Sequence, residues 1–175
     1  NRRFAMIKEA MQNDNNILDR SIYEDEIFMK MNTEMGNATR VEYDIYKSLL
    51  NNMMEELPYA AHKKSPDLMI TIKVSYETMI KRIIKRGRDY EQIEKDPSLV
   101  DYYHRLLSHY DDWMNEYDES PLLIIDGDKY DFVADVKDRV KILETIEDKL
   151  YDLGNLEQTK VDELREAHLE ILKQQ

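Results

Sequence analysis

Pro66-Asp67-Leu68-Met69-Ile70-Thr71-Ile72-Lys73-Val74-Ser75 decides the fold of this 175-residue chain. Its apolar, β-branched centre over Leu68 to Val74 reads as a buried strand. Ser75 follows at once as a helix cap, with Thr78 three residues on in place of the usual glutamate. The helix it opens carries Lys81-Arg82-Ile83-Ile84-Lys85-Arg86 and stops at Gly87, where a left-handed residue is needed. Two further short apolar segments read as strands, Asn16-Ile17-Leu18 and Pro121 to Ile125. Three such strands parted by long helical stretches predict parallel pairing with crossover helices, an α/β layered fold. Ligands in these sheets sit at the carboxyl ends of the strands. Those ends are Asp19-Arg20-Ser21, the residues after Val74, and Asp126-Gly127-Asp128.

The remaining chain is helical by its apolar spacing. Phe4, Ile7, Ala10 and Met11 mark an opening helix that Asn13-Asp14-Asn15 breaks. Ile22, Phe28 and Met31 mark another, ending near Gly36-Asn37. Thr39 with Glu42 forms a capping box for a third. The stripe of that helix (Tyr46, Leu49, Leu50, Met53, Met54, Leu57) stops before Pro58 and suits a core or a dimer face. A loop over Tyr59 to Ser65 follows. Asp96-Pro97 opens the helix of Leu99, Tyr102, Tyr103, Leu106, Leu107, Tyr110 and Trp113, whose spacing suits packing. Two helices close the chain, over Val133 to Leu153 and Glu157 to Lys173, parted by Gly154-Asn155.

Composition removes several functions. The net charge is −12 from 25 basic and 37 acidic side chains, so broad nucleic-acid binding is not expected. The absence of cysteine excludes disulfides, thiolate catalysis and zinc–thiolate sites, and fits a reducing cytoplasm. No run is long and apolar enough for a bilayer span. His62, His104, His109 and His168 share no metal-ligand spacing.

Against that acidity the basic run at 81–88 must be local and aimed at something small. Arg82 and Arg86 share a helix face, Arg88 lies beyond the glycine, and Glu91 follows within a turn. Guanidiniums gathered at a helix end suit a polyanion such as phosphate, although last-turn cations also answer the helix dipole. Asp19-Arg20-Ser21 puts a carboxylate and a guanidinium at a predicted strand end. Such a pair can hold hydrated Mg²⁺ and steady phosphate charge, or can be a capped turn with a local ion pair.

Taken together, Asp19-Arg20-Ser21-Ile22-Tyr23-Glu24-Asp25, Pro66-Asp67-Leu68 to Val74, Arg82 to Gln92 and Asp126-Gly127-Asp128-Lys129-Tyr130-Asp131-Phe132 resemble the deoxynucleoside kinase family. The purine (deoxyadenosine or deoxyguanosine) kinases of bacteria carry the same pattern. The resemblance runs from residue 1 to about residue 153, with a lid around 82–96 as its most specific part, and leaves a C-terminal helix over 154–175 without a counterpart. It implies a three-layer, P-loop kinase-like α/β fold with a parallel sheet flanked by helices. It also implies transfer of the ATP γ-phosphate to the 5′-hydroxyl of a purine deoxynucleoside, in a cytoplasmic homodimer serving nucleotide salvage.

The same resemblance implies residue roles. Asp19 would organise Mg²⁺, through water, or accept the sugar-hydroxyl proton, and Arg20 would contact the 5′-hydroxyl and the moving phosphoryl. Asp25, paired with Arg3, would read the base, and Glu91 would receive the deoxyribose 3′-hydroxyl. Arg82, Arg86 and Arg88 would close on the phosphates, and Asp131 with Phe132 would border the adenine of ATP. No G-x-x-x-x-G-K-[ST] loop occurs, and the chain opens at Asn1-Arg2-Arg3-Phe4 inside an apparent helix. The expectation is therefore an N-terminal segment missing from this chain, with two strands of the sheet, and little kinase activity without it. A thymidylate-kinase-like nucleotide kinase shares the Pro-Asp-Leu strand and the acidic-Arg motif, and a non-catalytic helical interaction module is the other alternative.

Overall fold

The computed structural model describes residues 2–56 and 65–173. The expectations placed on Asn1, on the helix end at Leu57 and Pro58, on the loop that follows and on His62 lie outside those residues. Among the described residues seven α-helices and two strands occur: α1 (Arg2–Ala10), α2 (Ile22–Glu34), α3 (Arg40–Glu56), β1 (Met69–Lys73), α4 (Tyr76–Arg86), α5 (Leu99–Glu116), β2 (Leu122–Asp126), α6 (Val136–Asp152) and α7 (Gln158–Lys173). They form two compact units. One holds residues up to Pro66 together with Asp89–Tyr117, the other Asp67–Arg88 together with Asp118 onward.

The first unit is helical. The Thr39–Glu42 capping box forms as its spacing predicts, with the Thr39 backbone N–H donating to Glu42 Oε2 at 2.7 Å and the Glu42 N–H donating to Thr39 Oγ1 at 3.2 Å. Helix α2 packs against α3 and α5 and supplies the core residues Ile22, Ile27 and Met31; Tyr43 and Tyr103 are the buried side chains of the other two. Tyr43 turns its hydroxyl to Glu26 at 2.7 Å, which also takes Lys47 at 2.9 Å. On the opposite face of α3, Val41, Ile45 and Leu49 lie four residues apart and are exposed.

The second unit holds the sheet. β1 and β2 run parallel, with Met69 opposite Leu122 and Lys73 opposite Asp126. Their parallel pairing requires a crossover connection, which begins in α4. Ile125 is buried, but Ile70, Ile72 and Ile124 are 39%, 48% and 49% exposed, so the sheet is less covered than its apolar run predicts. Helix α6 packs on β2 and α7 packs on α6. Arg165 of α7 pairs with Glu147 and Asp148 of α6, and the buried His168 lies 3.3 Å from Glu147.

One predicted strand is absent. Asn16-Ile17-Leu18 is irregular, and Ile17 is 97% exposed. A strand exists only by hydrogen-bonding to a neighbour, and no strand lies beside this segment among the described residues. The fold class is nonetheless α/β, mostly helical with a small parallel sheet.

Candidate functional site

In the first unit the turn before α2 gathers a charged cluster. Ser21 is the N-cap, its hydroxyl accepting from the Tyr23 N–H at 3.0 Å. Arg20, immediately before it, takes φ +69°, a left-handed conformation rare for a residue with a Cβ. Such a residue stores on the order of 1–2 kcal/mol of strain, and non-glycine outliers of this kind gather at functional sites. Its guanidinium lies 5.9 Å from the Phe28 ring centroid, and neighbouring Asp19 is exposed.

Arg3 of α1 reaches this turn from outside it. Its Nη1 donates to the Ser21 carbonyl at 3.1 Å, and its Nε lies 2.9 Å from Asp25 Oδ2. The pairing of Arg3 with Asp25 is thus present in the geometry. It commits one carboxylate oxygen of Asp25; the other makes no hydrogen bond among the described residues.

Three participants were not singled out as site residues from sequence. Glu24 lies 3.8 Å from Arg3 Nη1, with its side chain only 16% exposed. Burial pushes its carboxyl above the ordinary glutamate value, against the pull of Arg20 and Arg3. Tyr110 of α5 has its phenol pushed up to about 12, first by burial and then by Glu24. Tyr46 of α3 is raised as well, by burial and then by Asp25 and Glu26. Phe28, Tyr110, Trp113, Tyr117 and Tyr23 continue from the cluster as successive edge-on or tilted ring contacts. Glu91 sits in a 3-10 turn over Asp89–Glu91, and its carbonyl accepts from the buried Tyr103 hydroxyl at 2.8 Å.

The second unit carries α4, with Arg82 and Arg86, and the loop after β2. Ser75 caps α4 through the Thr78 N–H at 3.2 Å, and Gly87 ends the helix at φ 70°, ψ 24°. The Asp128 carboxylate accepts from the Ser75 N–H at 2.9 Å and from its hydroxyl at 3.1 Å. Hydrogen bonds from Thr78 and then Ser75 hold Asp128 below the usual carboxylate range. Arg82 Nη2 donates to the Gly127 carbonyl at 2.6 Å. Only glycine fits at 127, because a Cβ would stand 2.7 Å from Val74 Cγ1 and 2.8 Å from Ile72 Cγ2. Lys85, Arg86 and Arg88 are exposed.

Asp131 belongs to this same assembly. Its carboxylate accepts from the Ala134 N–H at 3.1 Å, and it is held low by that bond and by Lys85 and Arg82. Arg139 Nε donates to the Phe132 carbonyl at 2.9 Å and Nη2 to the Val133 carbonyl at 2.9 Å, so the loop is pinned from α6. Arg3, Asp19, Arg20, Asp25 and Glu91 therefore fall in one unit, and Arg82, Arg86, Arg88, Asp131 and Phe132 in the other.

Among the described residues no group of three His, Asp or Glu side chains could hold a metal ion. Asp19 alone, an exposed hard-oxygen donor, suits a Mg²⁺ that keeps most of its waters and its phosphate ligands. Nor is any described helix long and apolar enough to cross a membrane.

Comparison with known proteins places the chain in a family. Residues 1–151 match the family model for deoxynucleoside kinase. A deoxyguanosine kinase of Lactobacillus acidophilus is 55% identical over 156 residues, covering 89% of this chain and 68% of that one. A deoxyadenosine kinase of the same organism is 51% identical over 156 residues, 89% of this chain and 72% of the relative. A deoxyadenosine/deoxycytidine kinase of Bacillus subtilis is 31% identical over 137 residues, 78% of this chain and 59% of its own length. No solved structure matches significantly. The family match makes the chain an ATP-dependent phosphotransferase, and the small parallel sheet with its flanking helices fits the α/β kinase class. The chain belongs to the deoxynucleoside kinase family.

Proposed function

We propose that the protein transfers the γ-phosphoryl of ATP to the 5′-hydroxyl of a purine deoxynucleoside. The observation that carries this is the Arg3–Asp25 pair, which holds a carboxylate beside Tyr46 and Tyr110 with one oxygen left to accept from a base. A base N–H is read well by such an oxygen, because a base lacking it leaves the acceptor unpaired. The names of the Lactobacillus relatives support purines.

Phosphoryl transfer asks for positioning and charge neutralisation more than covalent chemistry. Arg20, strained into the turn, faces the 5′-hydroxyl and the moving phosphoryl in this reading, and Asp19 accepts the hydroxyl proton. Glu91 takes the 3′-hydroxyl. Arg82, Arg86 and Arg88 bind phosphate charge, and Asp131 and Phe132 border the adenine of ATP. Mg²⁺ would arrive with ATP, Asp19 holding it through water, and would neutralise phosphate charge. The exposed stripe of Val41, Ile45 and Leu49 supports a homodimer, and the absence of cysteine supports the cytoplasm.

The test is phosphorylation by the full-length protein of the four common deoxynucleosides and of their monophosphates. Preferred turnover of deoxyguanosine or deoxyadenosine is expected. Preferred turnover of a monophosphate would overturn the reading.

A further inference from the structure

Glu24 is a carboxylate where a carboxylate is expensive. First-turn acids of a helix normally gain from the dipole while staying in water. Glu24 is instead mostly buried, more so than the adjacent Asp25, which is 30% exposed. A buried charge of this kind persists only when countercharge holds it. Two guanidiniums supply that countercharge, Arg3 from α1 and Arg20 from the turn.

The distances say how. Arg3 Nη1 stands 3.8 Å from Glu24 Oε1, too far for a direct hydrogen bond. Nη1 donates instead to the Ser21 carbonyl, and Nε meets Asp25 Oδ2. Glu24 thus acts on Arg3 by charge, drawing the guanidinium away from a two-pronged grip on Asp25. Arginine and carboxylate left alone favour that two-pronged grip, and it would consume the oxygen of Asp25 that a base needs.

We propose that Glu24 is a positioning residue for nucleoside recognition, its buried carboxylate restraining Arg3 and Arg20 so that Asp25 keeps one oxygen for the base. The inference rests on reading Arg3–Asp25 as the base-binding pair. The groups facing Glu24 are Arg3 of α1, Arg20 of the turn, Asp25 on its own helix and Tyr110 of α5. The arginines stay charged, and Tyr110, with its phenol near 12, stays neutral. Protonation of Glu24 releases Arg3 onto Asp25. Nucleoside affinity therefore falls at a pH above that of an ordinary glutamate, because burial has raised the Glu24 carboxyl from 4.5.

Binding of deoxyguanosine, deoxyadenosine and ATP is measured by titration calorimetry in the full-length protein, the Glu24→Gln variant and the Glu24→Asp variant, from neutrality down to pH 4.5. Glu24→Gln is expected to weaken purine deoxynucleoside binding about tenfold at neutral pH, on the order of 1.4 kcal/mol, with ATP affinity unchanged. Its affinity then loses the acid-side fall of the parent, and Glu24→Asp recovers part of the loss. Equal weakening for nucleoside and ATP, or a pH profile identical to the parent's, would overturn the positioning role. A parent protein that binds ATP but no deoxynucleoside would overturn the base-binding reading itself. Should Glu24→Gln fail to fold, the parent's own profile decides: nucleoside affinity that holds level down to pH 4.5 overturns the proposal.

Discussion

The turn before α2 and the loop after β2 use acidic residues in opposite ways. Around Arg20 the acid is buried among guanidiniums, and Glu24 is harder to ionise than a free glutamate. After β2 the acids are exposed and spent on backbone and hydroxyl donors, so Asp128 and Asp131 are easier to ionise than free aspartates. The first arrangement stores cost in a charge cluster that a ligand can use. The second removes freedom from a loop and gives it one shape. The two regions can thus be told apart by what their carboxylates do.

Four expectations sharpen that contrast. The largest concerns the exposed cations: Arg86→Ala should lower turnover of the full-length protein by about 10³-fold or more, as for arginines that stabilise transferring phosphoryl. An unchanged kcat would remove Arg86 from the lid. Next, Asp25→Ala should lower kcat/KM for the preferred purine deoxynucleoside by about 10²-fold and flatten base preference, while the KM for ATP holds. Retention of the original preference would mark Asp25 as a plain ion-pair partner. Gly127→Ala forces a methyl into Val74, Ile72 and the Lys73 carbonyl, which stands 3.1 Å away. It should cost about 1–3 kcal/mol in urea unfolding, and an unaltered midpoint would show that β1 yields there.

The smallest effect is one of pH, and its sign differs between the two regions. Glu24, raised in the folded protein, opposes folding when ionised, and that opposition is relieved as pH falls through its folded value towards 4.5. Asp128, lowered when folded, contributes stability that is present above 3.8 and is lost as pH falls below it. Glu24→Gln should therefore flatten the stability curve on its upper acid limb, and Asp128→Asn on its lower one. Identical shifts from both variants in thermal melts across that range would erase the distinction.

Much of this was readable from local chemistry. The β-branched run at 69–73, the Ser75 cap and the Gly87 stop each carry their own physical signal and fall where spacing predicts. So does the Thr39–Glu42 box. Asn16-Ile17-Leu18 misled because an apolar triplet states only that burial is favourable, whereas a strand also needs a neighbour. Asp96-Pro97 opens the turn preceding α5, whose first helical residue is Leu99. Glu24 escaped notice for a related reason. Its neighbours in sequence announce a motif, but Arg3 of α1 and Tyr110 of α5, which face it, lie far away along the chain. Arg82 was read for the charge it offers; only the folded chain shows one of its N–H groups donating to Gly127.

That last bond has a mechanical meaning. Helix α4 is tied to residues 127 and 128 twice, at Ser75 and at Arg82, and the Gly127 N–H returns to the Lys73 carbonyl at 2.7 Å. These amides should exchange with solvent as one cooperative block with a shared opening energy. Arg82 consequently rides with the sheet like a post set in a wall, up to the left-handed stop at Gly87.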